Sequence, residues 1–211
     1  MIRVKVCGLV NPVNIRAVAE AEPDFIGFIF YRHSPRYVGD GAETQQLKNL
    51  PARIRKAGVF VDESIDRIVK VSKLTGLDLI QLHGNESPAY CSELKSYGLA
   101  IIKAFNIGNE LNFGSLIRYL TVCDYFLFDT KSDKPGGSGR KFDWKKLDEY
   151  SLDKPFFLSG GIGPDDAEII KSITTKGFFA VDINSRFETA AGFKETESIK
   201  TFIREIKNEK P

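Results

Sequence analysis

The sequence predicts an α/β protein, a single closed (β/α)₈ barrel (TIM barrel) over residues 1–211. Three observations carry this. Apolar runs of strand length recur along the chain. Their starts lie 22, 32, 22, 21, 25, 31 and 23 residues apart, and each interval holds a segment with apolar residues three or four apart. Eight near-equal units of about 26 residues favour closure over an open doubly wound sheet, which usually needs five or six strands.

The predicted strands are 2–7, 24–30, 56–61, 78–83, 99–104, 124–129, 155–159 and 178–183. Helical spacing is clearest in four segments. Ile15, Val18 and Ala19 define 14–20, and Ile65, Ile68, Val69 and Leu74 define 65–74. Ala167, Ile169, Ile170 and Ile173 define 165–173, and Ile199, Phe202, Ile203 and Ile206 define 197–206. There is no linker, low-complexity stretch or composition break, so one domain is expected.

Composition excludes several classes of function. Lys plus Arg number 30 and Asp plus Glu 28, a net charge of +2. That balance gives no electrostatic reason to expect nucleic acid or an anionic membrane as partner. Apolar runs stay well below the roughly 20 residues that span a bilayer, and MIRVKVCGL lacks the apolar core of a signal peptide. Three cysteines, Cys7, Cys91 and Cys123, make no C-x-x-C pair and suit a reducing cytoplasm. Two histidines, His33 and His83, without H-x-x-x-H spacing, argue against a metal centre, and no cofactor is expected.

In such a barrel, chemistry sits where strands end. The polar residues at those ends are therefore the candidates: Cys7, His33 with Arg36, His83, Asp129, Ser159 with Gly160 and Gly161, and Asp182 with Asn184 and Ser185. Alternation along a strand sorts their direction. Arg3, Lys5 and Cys7 share one face of the first strand, opposite Val4 and Val6. Leu127 and Asp129 share a face opposite Phe126 and Phe128, and Ala180 pairs with Asp182.

A thiolate serves as base or nucleophile when positive charge lies close, and Lys5 is the nearest cation to Cys7 in sequence. A carboxyl set against aromatic side chains holds its proton more readily, which suits Asp129 to general-acid work beside Phe126 and Phe128. One thiol and one carboxyl at two strand ends is an arrangement for moving a proton between two substrate atoms. Ser159-Gly160-Gly161-Ile162-Gly163-Pro164-Asp165 opens the seventh βα loop, where glycines let backbone N–H groups approach an anion. The alternative is a tight turn with Asp165 as helix cap, but Asn184-Ser185 after the eighth strand favours a phosphate site. Arg36, in Ser34-Pro35-Arg36-Tyr37, could clamp a carboxylate. His83, in Gln81-Leu82-His83-Gly84, is either a structural histidine or a substrate contact. Gly136-Gly137-Ser138-Gly139 lacks the Lys-Ser/Thr ending of a P-loop and reads as a mobile lid.

Together these residues resemble the phosphoribosylanthranilate isomerases of tryptophan biosynthesis. The matching segments are Lys5-Val6-Cys7-Gly8, Gly27-Phe28-Ile29-Phe30-Tyr31, Ser34-Pro35-Arg36-Tyr37, Gly58-Val59-Phe60-Val61 and Gln81-Leu82-His83-Gly84. Phe128-Asp129-Thr130, Gly136-Gly137-Ser138-Gly139 with Phe142-Asp143-Trp144, Leu158-Ser159-Gly160-Gly161 and Val181-Asp182 complete the series in family order. The resemblance implies an Amadori rearrangement of N-(5-phosphoribosyl)anthranilate. It implies Asp129 as general acid at the furanose oxygen and Cys7 as general base at C2′. Arg36 is implied for the anthranilate carboxylate, Asp182 for the amine, and Gly160, Gly161, Asn184 and Ser185 for phosphate. The chain departs from the family form after Asp182, reading Asn184-Ser185-Arg186 where the family has Ser-Ser-Gly.

Two other readings compete. A ribulose-phosphate epimerase would share the barrel but needs a metal held by His and Asp, and two histidines do not supply that pattern. A non-catalytic phosphosugar-binding barrel would not need Cys7 and Asp129, and both are present. The expected partner is a small phosphoribosyl substrate, with no nucleic acid and no membrane, and the chain is a monomer or homodimer.

Overall fold

The computed structural model describes residues 1–39, 42–107, 112–130 and 143–208. Eight parallel strands close into a barrel in sequence order: β1 (Arg3–Cys7), β2 (Phe25–Ile29), β3 (Arg55–Phe60), β4 (Leu79–Leu82), β5 (Ala100–Ile107), β6 (Tyr125–Thr130), β7 (Phe156–Leu158) and β8 (Phe178–Ile183). β1 seals against β8 with Lys5 opposite Asp182. All eight expected strands form, with β5 running three residues further than its apolar run.

Five α-helices pack outside: α1 (Pro12–Ala19), α2 (Ile65–Thr75), α3 (Pro88–Lys95), α4 (Ala167–Lys171) and α5 (Thr196–Lys207). Their ends carry ordinary signals. Asn11 accepts from the N–H groups of Val13 and Asn14 ahead of Pro12, and Ser87 accepts from Tyr90 ahead of Pro88. α5 buries Ile199, Phe202, Ile203 and Ile206, the face that its spacing defined.

The expectation of a helical segment in every interval needs correction. After β2, β5 and β6 the described chain forms 3₁₀ turns, Ala42–Asn49, Phe113–Tyr119 and Trp144–Glu149. Length does not set them apart, since Ala42–Asn49 has eight residues, as do α1 and α3. The helix after β7 also starts later than expected. Pro164–Asp166 is a 3₁₀ turn, and the side chain that ties it down is Asp166, accepting from Gly163 N–H at 2.6 Å, rather than Asp165.

Register is set at the bottom of the barrel by one repeated device. Asp24, Asp78 and Asp124 each stand just before a strand. Each accepts the N–H of a residue on the preceding strand (Val4 at 2.9 Å, Lys56 at 2.7 Å, Ile101 at 2.8 Å) and returns its own N–H to the same residue's carbonyl. A one-residue slip would break both bonds and invert every side chain on the strand.

The core has two shells. Val4, Val6, Ile26, Phe28, Phe126 and Phe128 face the helices. Phe25, Ala57, Leu79, Ile102, Leu127, Phe157 and Ala180 fill the barrel. Inside, Phe157 contacts Phe25, Tyr125 and Phe179 with ring centroids 5.3, 5.6 and 5.5 Å apart. This aromatic plug seals the lower barrel, which restricts any cavity to the upper rim. Phe157→Ala should cost about 3–5 kcal/mol by opening a void that the closed sheet cannot collapse around. Urea unfolding followed by circular dichroism measures it; a loss below about 1 kcal/mol would show that the plug is not structural.

Candidate active site

At the C-terminal rim, Cys7, Arg36, His83, Asp129, Gly160, Gly161, Asp182, Asn184 and Ser185 all line one cavity of 450 Å³. Every candidate site residue from the sequence except His33 therefore meets in a single pocket. The volume suits a ligand of drug-like size.

Its floor begins with Lys5, which has no exposed surface and donates to Asp182 Oδ1 at 2.9 Å. Burial disfavours the Lys5 ammonium, but Asp182 and Cys7 outweigh that and hold it above its ordinary value. Lys5 is thus a permanent cation beneath the thiol. Cys7 follows on the same face, and Gly27 on β2 makes room for it: a Cβ at Gly27 would lie 2.6 Å from Cys7 Sγ.

Lys5 supplies the nearby positive charge that its place in the sequence suggested, but it does not decide the protonation of the thiol. Burial pushes Cys7 up, Lys5 and Lys194 pull against it, and burial wins, so Cys7 holds its proton.

Asp129 is the penultimate residue of β6, paired with Asn106 of β5. Its Oδ1 accepts from Thr130 N–H at 2.8 Å, and its Oδ2 lies 3.4 Å from His83 Nε2. Here the sequence reading also needs correction. Phe126 and Phe128 point to the helix shell, so they do not surround the carboxyl, which faces the pocket and His83 instead. Gly160 approaches Asp129 closely: with φ +93°, a Cβ there would clash with Thr130 and lie 2.8 Å from Asp129 Oδ1. The seventh loop can cover the acid only with glycine at this position.

His83 is a pocket residue. Its Nδ1 sits 3.0 Å from Gln81 Nε2, two residues earlier on the same face of β4. The turn that carries it is braced from behind by Lys103, which donates to Gly84 O at 2.9 Å and pairs with Glu86 at 3.1 Å. Gln81 is a site residue that the sequence reading passed over, although its parity with His83 could have found it.

Arg36 reaches the pocket from the loop after β2, which folds back through Val38 N–H to Ile29 O at 2.9 Å. Its guanidinium grips the Glu188 carboxylate, Nε at 2.8 Å and Nη2 at 2.6 Å. Glu188 begins a hairpin of β9 (Glu188–Ala190) and β10 (Phe193–Lys194), which also brings in buried Lys194. Sequence reading found neither residue, since both lie beyond the last strand and only the hairpin turns them inward.

On the far side, Gly160 and Gly161 (φ +93° and +68°) face Asn184 and Ser185 across the β7–β8 rim. Arg186 is exposed and stands beside Gly163 of the seventh loop, on the outer edge of this cradle. The expected lid at 136–139 lies outside the described residues. Among the described residues, no group of three or more His, Cys, Asp and Glu could hold a metal, and no helix is long and apolar enough to cross a membrane.

A family model for N-(5'-phosphoribosyl)anthranilate (PRA) isomerase matches residues 4–205 of this barrel. The chain belongs to the PRA isomerase family. The N-(5'-phosphoribosyl)anthranilate isomerase of Phocaeicola vulgatus is 42% identical over 204 residues, covering 97% of each chain. The crystal structure of the phosphoribosyl anthranilate isomerase from Thermotoga maritima superimposes with a TM-score of 0.83 at 33% identity, covering 99% of this chain and 100% of that one. A PRA isomerase in complex with reduced 1-(o-carboxyphenylamino)-1-deoxyribulose 5-phosphate gives 0.80 at 31% identity, with coverage of 99% and 100%. Membership extends over nearly the whole barrel, so it covers every strand end that supplies the pocket.

The raised thiol gives a direct test. Alkylation of Cys7 by iodoacetamide should be slow at pH 7 and rise about tenfold per pH unit toward pH 9, because only the thiolate reacts. Peptide mass spectrometry separates Cys7 from Cys91 and Cys123. A plateau below pH 8 would show that the pocket lowers the thiol instead.

Proposed function

We propose that this pocket converts N-(5'-phosphoribosyl)anthranilate to 1-(2-carboxyphenylamino)-1-deoxyribulose 5-phosphate in tryptophan biosynthesis, with Asp129 as acid and Cys7 as base. The observation that carries the assignment is their position in one cavity, which Arg36 and the glycine-rich turn after β7 also line. A substrate with a carboxylate at one end and a phosphate at the other spans such a pocket in one orientation.

Asp129 gives its proton to the furanose ring oxygen as the C1′–O bond breaks, leaving a Schiff base between C1′ and the amine. Cys7 first gives its own proton to solvent; as thiolate it then takes the proton from C2′, and the electron pair moves to form the enolamine. Tautomerisation to the C2′ ketone completes the isomerisation. Lys5 is the cation that stabilises the thiolate when Cys7 gives up its proton, and Asp182, held by Lys5, faces the amine. His83 Nε2 supports Asp129 after proton transfer. The backbone at Gly160, Gly161, Asn184 and Ser185 takes the phosphate, and Arg36 takes the carboxylate. The reading includes one barrel domain over 1–211, a monomer or homodimer, in the cytoplasm and without nucleic acid or membrane partner. The balanced charge and the three buried thiols support that setting.

Two mutational tests address the roles. Cys7→Ser and Asp129→Asn should each lower kcat by about 10²–10⁴-fold, the usual contribution of a positioned acid or base. Binding of the reduced product analogue should persist in both. Near-normal turnover in either folded variant would remove that residue from the mechanism.

Arg36→Met should act differently, because a clamp remote from the reacting atoms holds ground and transition states alike. Loss of a charge-assisted contact of about 1.5–3 kcal/mol raises KM roughly 10- to 150-fold. Steady-state assay decides: a collapse of kcat at unchanged KM would place Arg36 in the chemistry instead.

A further inference from the structure

We propose that Glu188 and Lys194, on the hairpin after β8, are positioning residues that aim Arg36 at the substrate carboxylate and couple it to the phosphate rim. The inference rests on the carboxylate role proposed for Arg36, and it identifies what gives that arginine its direction.

The geometry is a buried charge triad. Arg36 Nε donates to Glu188 Oε1 at 2.8 Å and Oε2 at 3.0 Å, while Nη2 donates to Oε2 at 2.6 Å. Lys194 Nζ donates to Glu188 Oε1 at 2.6 Å from the other side. Gly192 N–H adds a bond to the same oxygen at 3.1 Å. The Arg36, Glu188 and Lys194 side chains are 8%, 5% and 0% exposed, so these charges have little access to water.

Two consequences follow. A guanidinium is planar, with donors fixed in a fork. Gripping its Nε–Nη2 edge fixes the plane and turns the Nη1 side away from Glu188. In addition, one carboxylate shared by Arg36 and Lys194 ties both cations to a single anchor on the hairpin. Glu188 stays ionised in this setting: burial pushes it up, but Arg36 and Lys194 more than reverse that and hold it below the ordinary carboxylate range.

Lys194 also reaches the phosphate side. Its Nζ donates to Asn184 Oδ1 at 2.6 Å and to Asn184 O at 3.2 Å. The hairpin itself is pinned by Asn14 of α1, whose amide exchanges two bonds with the Lys194 backbone, at 2.9 and 2.7 Å. Arg36 and Asn184 flank the same glycine, since a Cβ at Gly8 would lie 2.7 Å from Arg36 Cδ and 2.7 Å from Asn184 Oδ1, so one hairpin lysine fixes the arginine's anchor and the neighbouring asparagine together.

The test compares two ligands by calorimetry: the reduced product analogue, and the same compound lacking the ring carboxylate. Wild-type protein should prefer the carboxylate form. Glu188→Gln should lower that preference about 10- to 100-fold, toward equal affinity, and raise KM with kcat within about threefold. Glu188→Asp, which keeps the charge, should restore part of the preference, and it serves as the test variant if Glu188→Gln does not fold. A structural role alone would weaken both ligands together and lower kcat, and that outcome overturns the proposal. Arg36→Met separates the two levels. If it abolishes the preference while Glu188→Gln leaves it intact, Glu188 does not aim the arginine, and the clamp stands. If Arg36→Met also leaves the preference intact, the clamp reading fails and the positioning role falls with it.

Discussion

A lysine with no exposed surface stands inside the barrel, and the active pocket is built on the way its charge is met. An ammonium in the interior is costly unless it is paired and hydrogen-bonded. Lys5 finds its partner in Asp182 at 2.9 Å. Those two residues face each other across the β1–β8 seam, the contact that closes the barrel. The pair therefore brings the first strand to the last and sets Cys7 on the rim above a fixed cation. It also turns Asp182 to the wall where the eighth loop begins.

Above that pair the pocket separates its charges by height and side. The cation below Cys7 favours the thiolate, while burial of the sulfur opposes it, so the resting thiol keeps its proton. Asp129 approaches from β6 with Gly160 closing over it and His83 at its other oxygen. Arg36 lines the pocket on the β2 side and the glycine-rich turn lines it at the end of β7. A neutral thiol at rest also limits unwanted reactivity in a group placed at an open mouth, since the thiolate is the nucleophilic form.

Strand positions were legible because a barrel strand must be apolar on its helix-facing side, and this leaves a repeating mark in the chain. Direction followed from parity alone: Cys7, Asp129 and Asp182 face the pocket as alternation along β1, β6 and β8 required. The same parity placed Phe126 and Phe128 in the outer shell, a point that adjacency in sequence to Asp129 obscured. The helical intervals were less legible. Apolar spacing of three or four residues is shared by α-helices and 3₁₀ turns, so the pattern alone does not separate them.

The sequence by itself determined the order of eight strands and marked the strand-end residues, Cys7, Asp129 and the glycine turns among them, that line one pocket. Periodicity and residue type are local properties, written within a few positions of each side chain. The tertiary structure alone decided which charges meet. Arg36 and Glu188 are 152 positions apart, and Asn14 and Lys194 are 180 apart. Only closure of the barrel brings such groups into contact, and the balance between burial and pairing that sets the protonation of Cys7 does not exist until that closure removes the water.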